Sequence, residues 1–391
     1  MELNEIVKAL KTQQAVSVED GIQVINKHNP DFIHVEIDPI VIQDQMKESK
    51  TGTDETIDQA TAIMPDFSDS EVARQFALIM RQTMGSSNVD ISEGIETKVQ
   101  KINGPHGEIP IRIYQSDAIN KAKPAIIFFH GGGFVGGTSQ VTENFCKVMA
   151  EQLEGIVLNV EYRLAPEFQA PVASDECYAV VKWAHECASE LGINPNQIAV
   201  AGDSAGGNLA AVCSYLDRQQ ENNLIAFQAV LYPTIYLDEE TLAAKQWPIE
   251  KFGANPALSA KLAPGFVGMA ASHEMIRTVY AGELDVHSPL LSPGHASKAE
   301  LEKMPPTLIV VASYDYLRPF ALDYGRKLET AGVEVKTICY EGMFHAFIDK
   351  IGLYPQAEDC ANEIVKTFKD LSSKENLIPP EHKLLWGISY S

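Results

Sequence analysis

Ser204 lies in Gly202-Asp203-Ser204-Ala205-Gly206-Gly207, between the apolar run Ile198 to Ala201 and a helical pattern from Asn208 to Leu216. A G-x-S-x-G sequence between strand and helix makes a sharp turn that exposes the serine hydroxyl at the carboxyl end of the strand. The helix that follows points its N-terminal amides at negative charge developing there. Such a hydroxyl suits nucleophilic attack, provided an oxyanion can be held beside it. Upstream, His130-Gly131-Gly132-Gly133-Phe134 follows a second apolar run, Ala125 to Phe129. Successive glycines let an oxygen approach main-chain N–H groups closely. Donors fixed in that way stabilise a transition-state oxyanion by roughly 3 kcal/mol each.

A serine nucleophile needs a base, and the base needs an orienting acid. In a strand–turn–helix architecture the chain order is Ser, then Asp or Glu, then His. Downstream of Ser204, the strand pattern Thr307 to Ala312 leads into Ser313-Tyr314-Asp315-Tyr316-Leu317-Arg318, and a helical segment Pro319 to Thr330 follows. The next strand pattern, Val335 to Tyr340, leads into Gly342-Met343-Phe344-His345-Ala346-Phe347. Asp315 and His345 therefore fall on loops at the same sheet edge as Ser204, where catalytic loops of α/β proteins gather. Asp203, beside the nucleophile, points elsewhere from a tight turn and is expected to brace neighbouring loops.

Together, His130 to Phe134, Tyr162-Arg163-Leu164-Ala165-Pro166-Glu167, Gly202 to Gly207, Ser288 to Pro293, the Asp315 loop and Phe344 to Phe347 resemble the hormone-sensitive-lipase family of serine esterases, over roughly residues 97–371. The resemblance implies Ser204 as nucleophile, His345 as general base and acid, and Asp315 as the group that orients His345. It also implies an oxyanion hole from the amides of Gly132, Gly133 and Ala205, an α/β-hydrolase fold, and a cap over the site. The family's acidic loop usually reads D-P-L-R-D-E. Here Tyr316 and Pro319-Phe320 depart from it, which points to a different local loop shape.

The chain has 391 residues, enough for one large domain with a cap. It carries 53 acidic against 31 basic residues, a formal net charge of −22. Such a chain repels nucleic acid and anionic membrane surfaces at long range. The first residues, Met1 to Gln14, lack the pattern of a secretion leader, and no continuous apolar run reaches the ~18 residues of a membrane span. A cytoplasmic protein is therefore expected. The six cysteines form no C-x-x-C pair and read as reduced core residues. His273-Glu274 lacks the second histidine of a zinc-protease motif, and His130 precedes the glycine donors and is expected to brace them. No cofactor or metal is expected.

The elements that must position these groups alternate strand and helix. Thr97 to Asn103 and Ile109 to Tyr114 read as a leading antiparallel pair, followed by strands near residues 125–129, 156–161, 198–201, 227–232, 307–312 and 335–340. This predicts a mostly parallel eight-stranded sheet flanked by helices. Residues 97–237 and 286–372 form the expected catalytic domain. Residues 1–96 read as a helical extension contributing to the cap, 238–285 as a cap insertion, and 373–391 as a C-terminal tail. In the first segment Val72, Phe76, Ile79, Met80 and Met84 share one helical face. A face of that kind serves equally for a cap or for packing on the sheet.

The leading expectation is a carboxylesterase acting on short or medium acyl esters. A lipase, a deacetylase or amidase, and a lactonase stay open, because the residues shaping the acyl pocket belong to the cap. The alternative from a different class is a receptor that binds a small molecule without turnover, disfavoured because Ser204, Asp315 and His345 are all present. The expected partner is a small ester substrate, and a homodimer stays open.

Overall fold

The computed structural model describes residues 2–31, 36–51, 65–85, 87–116, 122–252 and 256–377. Its centre is one sheet of ten strands: β1 (Ala15–Glu19), β2 (Ile22–Lys27), β3 (Ile95–Gly104), β4 (Gly107–Ser116), β5 (Lys123–Phe129), β6 (Ile156–Val160), β7 (Ile193–Asp203), β8 (Phe227–Leu231), β9 (Thr307–Tyr314) and β10 (Val335–Phe344). Their spatial order is β1-β2-β10-β9-β8-β7-β5-β6-β4-β3. From β2 through β6 neighbouring strands run parallel, while the pairs at the two ends are antiparallel. Strands β8 and β9 are buried along their whole length, as expected where both faces of a parallel sheet are covered. Helices Val172–Glu186 and Ala205–Gln219 pack on each other, as do Glu143–Leu153 and Pro355–Leu377.

The sheet has ten strands rather than the expected eight, because residues 15–27, expected within a helical extension, form a hairpin. The turn is Asp20-Gly21, with φ of 48° and 90°. Positive φ at both central residues matches the right-handed twist of the flanking strands. Strand β2 lies parallel to β10, with Ile338 opposite Ile25. Ile22 and Val24 are buried, and Val16 and Val18 on the edge strand are exposed. The hairpin is fastened to the C-terminal helix by Lys27, whose Nζ lies 2.6 Å from both Asp359 and Glu363. Residues 373–377, placed in the expected tail, continue that helix, and 378–391 lie outside the described residues.

Two segments stand at the carboxyl ends of the strands. Helix Ser70–Thr83 is capped by Asp69, which accepts from the amides of Glu71 and Val72. It packs against helix Pro256–Tyr280 of the 238–285 insertion. Arg81 fixes the first helix to the sheet loops: its guanidinium donates to the Val135 and Ala165 carbonyls and pairs with Glu167 at 2.7 Å. No helix among the described residues is long and apolar enough to cross a membrane.

Candidate active site

Strand β7 ends at Asp203 and helix Ala205–Gln219 begins two residues later, so Ser204 alone makes the turn. Its φ of 55° and ψ of −116° belong to a strained conformation for a residue with a side chain. The surroundings over-determine it: the Ser204 amide donates to the Leu231 carbonyl at 2.8 Å, and its carbonyl accepts from Asn208 and Thr234. Gly206 lets the helix start press against β5, since a Cβ there would collide with the Phe129 carbonyl.

Asp315 follows β9 directly, and His345 follows β10. His345 Nε2 lies 2.9 Å from Ser204 Oγ, and its Nδ1 lies 2.7 Å from Asp315 Oδ2. With Nδ1–H donating to Asp315, Nε2 is free to accept the serine proton. The second Asp315 oxygen accepts from the Leu317 amide at 2.8 Å, which holds the buried carboxylate in place. Burial alone would lower the pKa of His345, but the Asp315 carboxylate, with Asp203 and Asp349 further off, outweighs it and raises the pKa.

The glycine loop faces Ser204. Gly132 has φ of 122°, and a Cβ there would collide with the Gly136 carbonyl. Asp203 Oδ1 accepts from the Gly131 amide at 2.8 Å. His130 is buried, stacks on Tyr162 at 4.4 Å, and has Nδ1 2.8 Å from the Gly131 carbonyl. Burial pushes its pKa down, so it stands as a neutral brace behind the loop. Ala205, the first residue of the helix, presents its amide at the helix N-terminus beside the serine.

Ser204, His345, Gly132 and Gly133 line one cavity of about 240 Å³. Its apolar wall combines Met80 from helix Ser70–Thr83 and Met84 at its C-cap with Met269 and Ile276 from helix Pro256–Tyr280. Tyr316, where the acidic loop departs from the family pattern, is buried with its ring 5.6 Å from His273 and 6.2 Å from Phe266, both on the insertion helix. Asp349 lines the cavity as well. Its carboxyl is pushed up, first by burial and then by Asp203. The sequence reading missed Asp349, which belongs to no motif. It stands four residues beyond His345, in the short 3₁₀ helix Phe347–Lys350. Among the described residues, a cluster able to hold a metal ion is Asp238, His287 and His295, none of which lines this cavity. All six cysteines are unpaired.

Comparisons with known proteins agree on the family. A family model described as the alpha/beta hydrolase fold matches residues 126–349, more than half of the chain. The chain is 34% identical over 265 residues to esterase LipI of Mycobacterium tuberculosis, spanning 67% of this chain and 78% of the relative. It is also 34% identical over 253 residues to an arylesterase of Saccharolobus solfataricus, spanning 65% of this chain and 77% of that protein. Among solved structures, the hyperthermophilic esterase of Pyrobaculum calidifontis superposes with a TM-score of 0.64 at 26% identity, covering 86% of this chain and 99% of that one. The chain belongs to the α/β-hydrolase fold family, within the hormone-sensitive-lipase type of carboxylic ester hydrolases.

Proposed function

We propose that this chain is a serine carboxylesterase that hydrolyses short- to medium-chain carboxylic esters through an acyl-enzyme on Ser204. The observation that carries the reading is the relay from Ser204 Oγ to His345 Nε2 at 2.9 Å and from His345 Nδ1 to Asp315 at 2.7 Å. In this reading Ser204 gives its proton to His345 and attacks the ester carbonyl. The amides of Gly132, Gly133 and Ala205 hold the oxyanion, while Asp315 fixes the imidazole tautomer and stabilises the imidazolium. His345 then protonates the leaving alcohol, and water repeats the sequence on the acyl-enzyme. The esterase and arylesterase relatives support ester chemistry over amide chemistry.

The cavity supports a short or medium acyl group. At about 240 Å³ it lies below the roughly 300–1,000 Å³ of pockets that enclose drug-sized ligands. Its wall of methionines adapts to differing apolar shapes. In this reading the helices Ser70–Thr83 and Pro256–Tyr280 act as a cap that closes the acyl end. The test is turnover of chromogenic esters from acetyl to palmitoyl, with active-site titration by an organophosphate. The reading expects a stoichiometric burst on Ser204 and a maximum in kcat/KM at short or medium acyl length. Absence of both burst and turnover across the series would favour a non-catalytic receptor, and a maximum at palmitoyl would make the chain a lipase.

A further inference from the structure

Asp238 lies far in the sequence from His287 and His295, and the three meet in space. Asp238 opens the 238–285 insertion as the N-cap of helix Glu239–Lys245, and the two histidines follow the point where the insertion returns. One ligating atom from each lies within 4.8 Å of the other two. His295 Nε2 is 2.6 Å from Asp238 Oδ2, and His287 Nε2 is 3.7 Å from Asp238 Oδ1. The imidazole rings stand side by side, with centroids 5.2 Å apart.

We propose that Asp238, His287 and His295 form a binding site for a divalent transition-metal ion of the zinc type, which clasps the entry and exit of the cap insertion. Two imidazole nitrogens and one carboxylate oxygen are a donor set for such an ion. Calcium and magnesium favour oxygen-only shells, and copper(I) favours sulfur. Zinc bonds of roughly 2.0–2.2 Å at tetrahedral angles place ligand atoms about 3.3–3.5 Å apart. One donor atom from each residue already lies within 4.8 Å of the others, so small side-chain rotations would bring them to that spacing.

The outer shell is also in place. Asp285 Oδ1 lies 3.0 Å from His287 Nδ1, so the Nδ1 proton is held there and Nε2 turns its lone pair toward the cluster. Carboxylates orient metal-bound imidazoles in this way. Asp238 is buried at 2% exposure and further fixed by the Thr241 amide at 2.7 Å. His287 is about half exposed, so the fourth position opens to solvent and takes water. The ion would take the place of the contact between His295 Nε2 and Asp238 Oδ2, and a proton held there would leave to solvent. The entry and exit segments already touch through the Leu237 amide and Ser292 Oγ at 2.9 Å, and the ion would add a second tie. None of the three residues lines the Ser204 cavity, so metal binding here is separate from the chemistry at Ser204.

The test is calorimetric titration of the chelator-treated full chain with Zn²⁺, paired with the visible absorption of the Co²⁺-loaded protein. The expected result is saturation at one zinc per chain and a tetrahedral cobalt spectrum. His287→Ala should weaken binding by more than about 100-fold, and Asp285→Asn by about 10- to 100-fold, the usual cost of losing an outer-shell partner. The side chain of His287 is half exposed, so its removal should leave the far-ultraviolet circular dichroism and the metal-free ester turnover unchanged. His295→Gln, which retains a hydrogen bond to Asp238, supplies a second variant that should lose the cobalt spectrum. Zinc should also raise the Tm of the wild type and not of either histidine variant. Absence of saturable binding, an octahedral cobalt spectrum, or unchanged affinity in the His287→Ala, His295→Gln double variant would overturn the proposal.

Discussion

The Asp203 carboxylate accepts a hydrogen bond from the Gly131 amide at 2.8 Å, so the residue before the serine ties the nucleophile turn to the glycine loop facing it. Asp203 thereby acts as a positioning residue for both. Asp203→Ala should lower kcat by about 10²-fold, the scale of a 1 Å misplacement, with a smaller change in KM. Asp203→Asn keeps an acceptor oxygen and should recover most of that loss. It also removes a charge that raises the pKa of His345, so the acidic limb of its pH profile should move to lower pH. Rescue without that movement would show that Asp203 acts through shape alone.

Ser204→Ala and His345→Ala should each lower kcat by about 10⁵- to 10⁶-fold, and the double variant by little more, because the two residues act as a unit. Asp315→Asn should cost about 10⁴-fold by favouring the wrong imidazole tautomer. Steady-state kinetics on an acetyl ester, with circular dichroism to show an intact fold, measures all three. Near-normal turnover in Asp315→Asn would transfer the orienting role to another carboxylate, and Asp203 and Asp349 both line the cavity.

The pH dependence has a definite sign. The raised pKa of His345 lies above the ordinary imidazole value of about 6.5, and the base is active only when neutral. The kcat/KM of the wild type should therefore rise with pH through a midpoint above that value. Asp315→Asn removes the largest influence that raises it, leaving burial to dominate, so the midpoint should fall as the rate falls. A midpoint that moved upward in Asp315→Asn would contradict this electrostatic account.

Much of this architecture was legible because its signals are local. Ser204, Asp315 and His345 each stand directly after an apolar strand run, and strand ends are readable from hydrophobicity alone. The hairpin at residues 15–27 was missed although Asp20-Gly21 between Ala15–Glu19 and Ile22–Lys27 is a hairpin signal. Its strands are short, and each carries a charged or amide residue that only the folded sheet explains. Asp349 and the Asp238–His287–His295 cluster were invisible for another reason. They are tertiary juxtapositions, assembled from segments up to 57 residues apart in the case of Asp238 and His295, and no spacing rule predicts them. Helix Ser70–Thr83 shows the limit of periodicity. Val72, Phe76, Met80 and Met84 of its apolar stripe pack inward, but Ile79, expected on the same face, is 60% exposed. Whether the stripe faced the sheet or the cavity depended on helix Pro256–Tyr280, against which it packs.

Met80 supplies part of the cavity wall and makes the acyl preference testable. Met80→Trp adds bulk where a longer acyl chain would lie. It should reduce kcat/KM for an octanoyl ester by about tenfold or more, within the 10- to 200-fold range that small changes in a hydrophobic pocket produce. The acetyl ester should be affected far less. The measurement is kcat/KM across nitrophenyl esters from acetyl to decanoyl, and a uniform loss at every length would place Met80 outside the acyl site.

Lys27 links the N-terminal hairpin to the body of the protein. It is 1% exposed and lies 2.6 Å from both Asp359 and Glu363. Removing it leaves Asp359 buried without a cation, while Glu363 keeps Lys336 at 2.6 Å, and breaking a buried pair in that way costs about 3–5 kcal/mol. Lys27→Ala should lower unfolding stability at pH 8 by that amount in urea titrations, while residual ester turnover in the folded fraction stays normal, since Lys27 does not line the Ser204 cavity. Burial already raises the pKa of Asp359 while Lys27 is present, and without Lys27 it must rise further. A carboxyl with a raised folded pKa destabilises the fold above that pKa and ceases to do so once protonated. The deficit should therefore shrink as pH falls toward 5. An equal deficit at both pH values would mean that the substitution removes side-chain packing, and that the ion pair itself holds the hairpin only weakly.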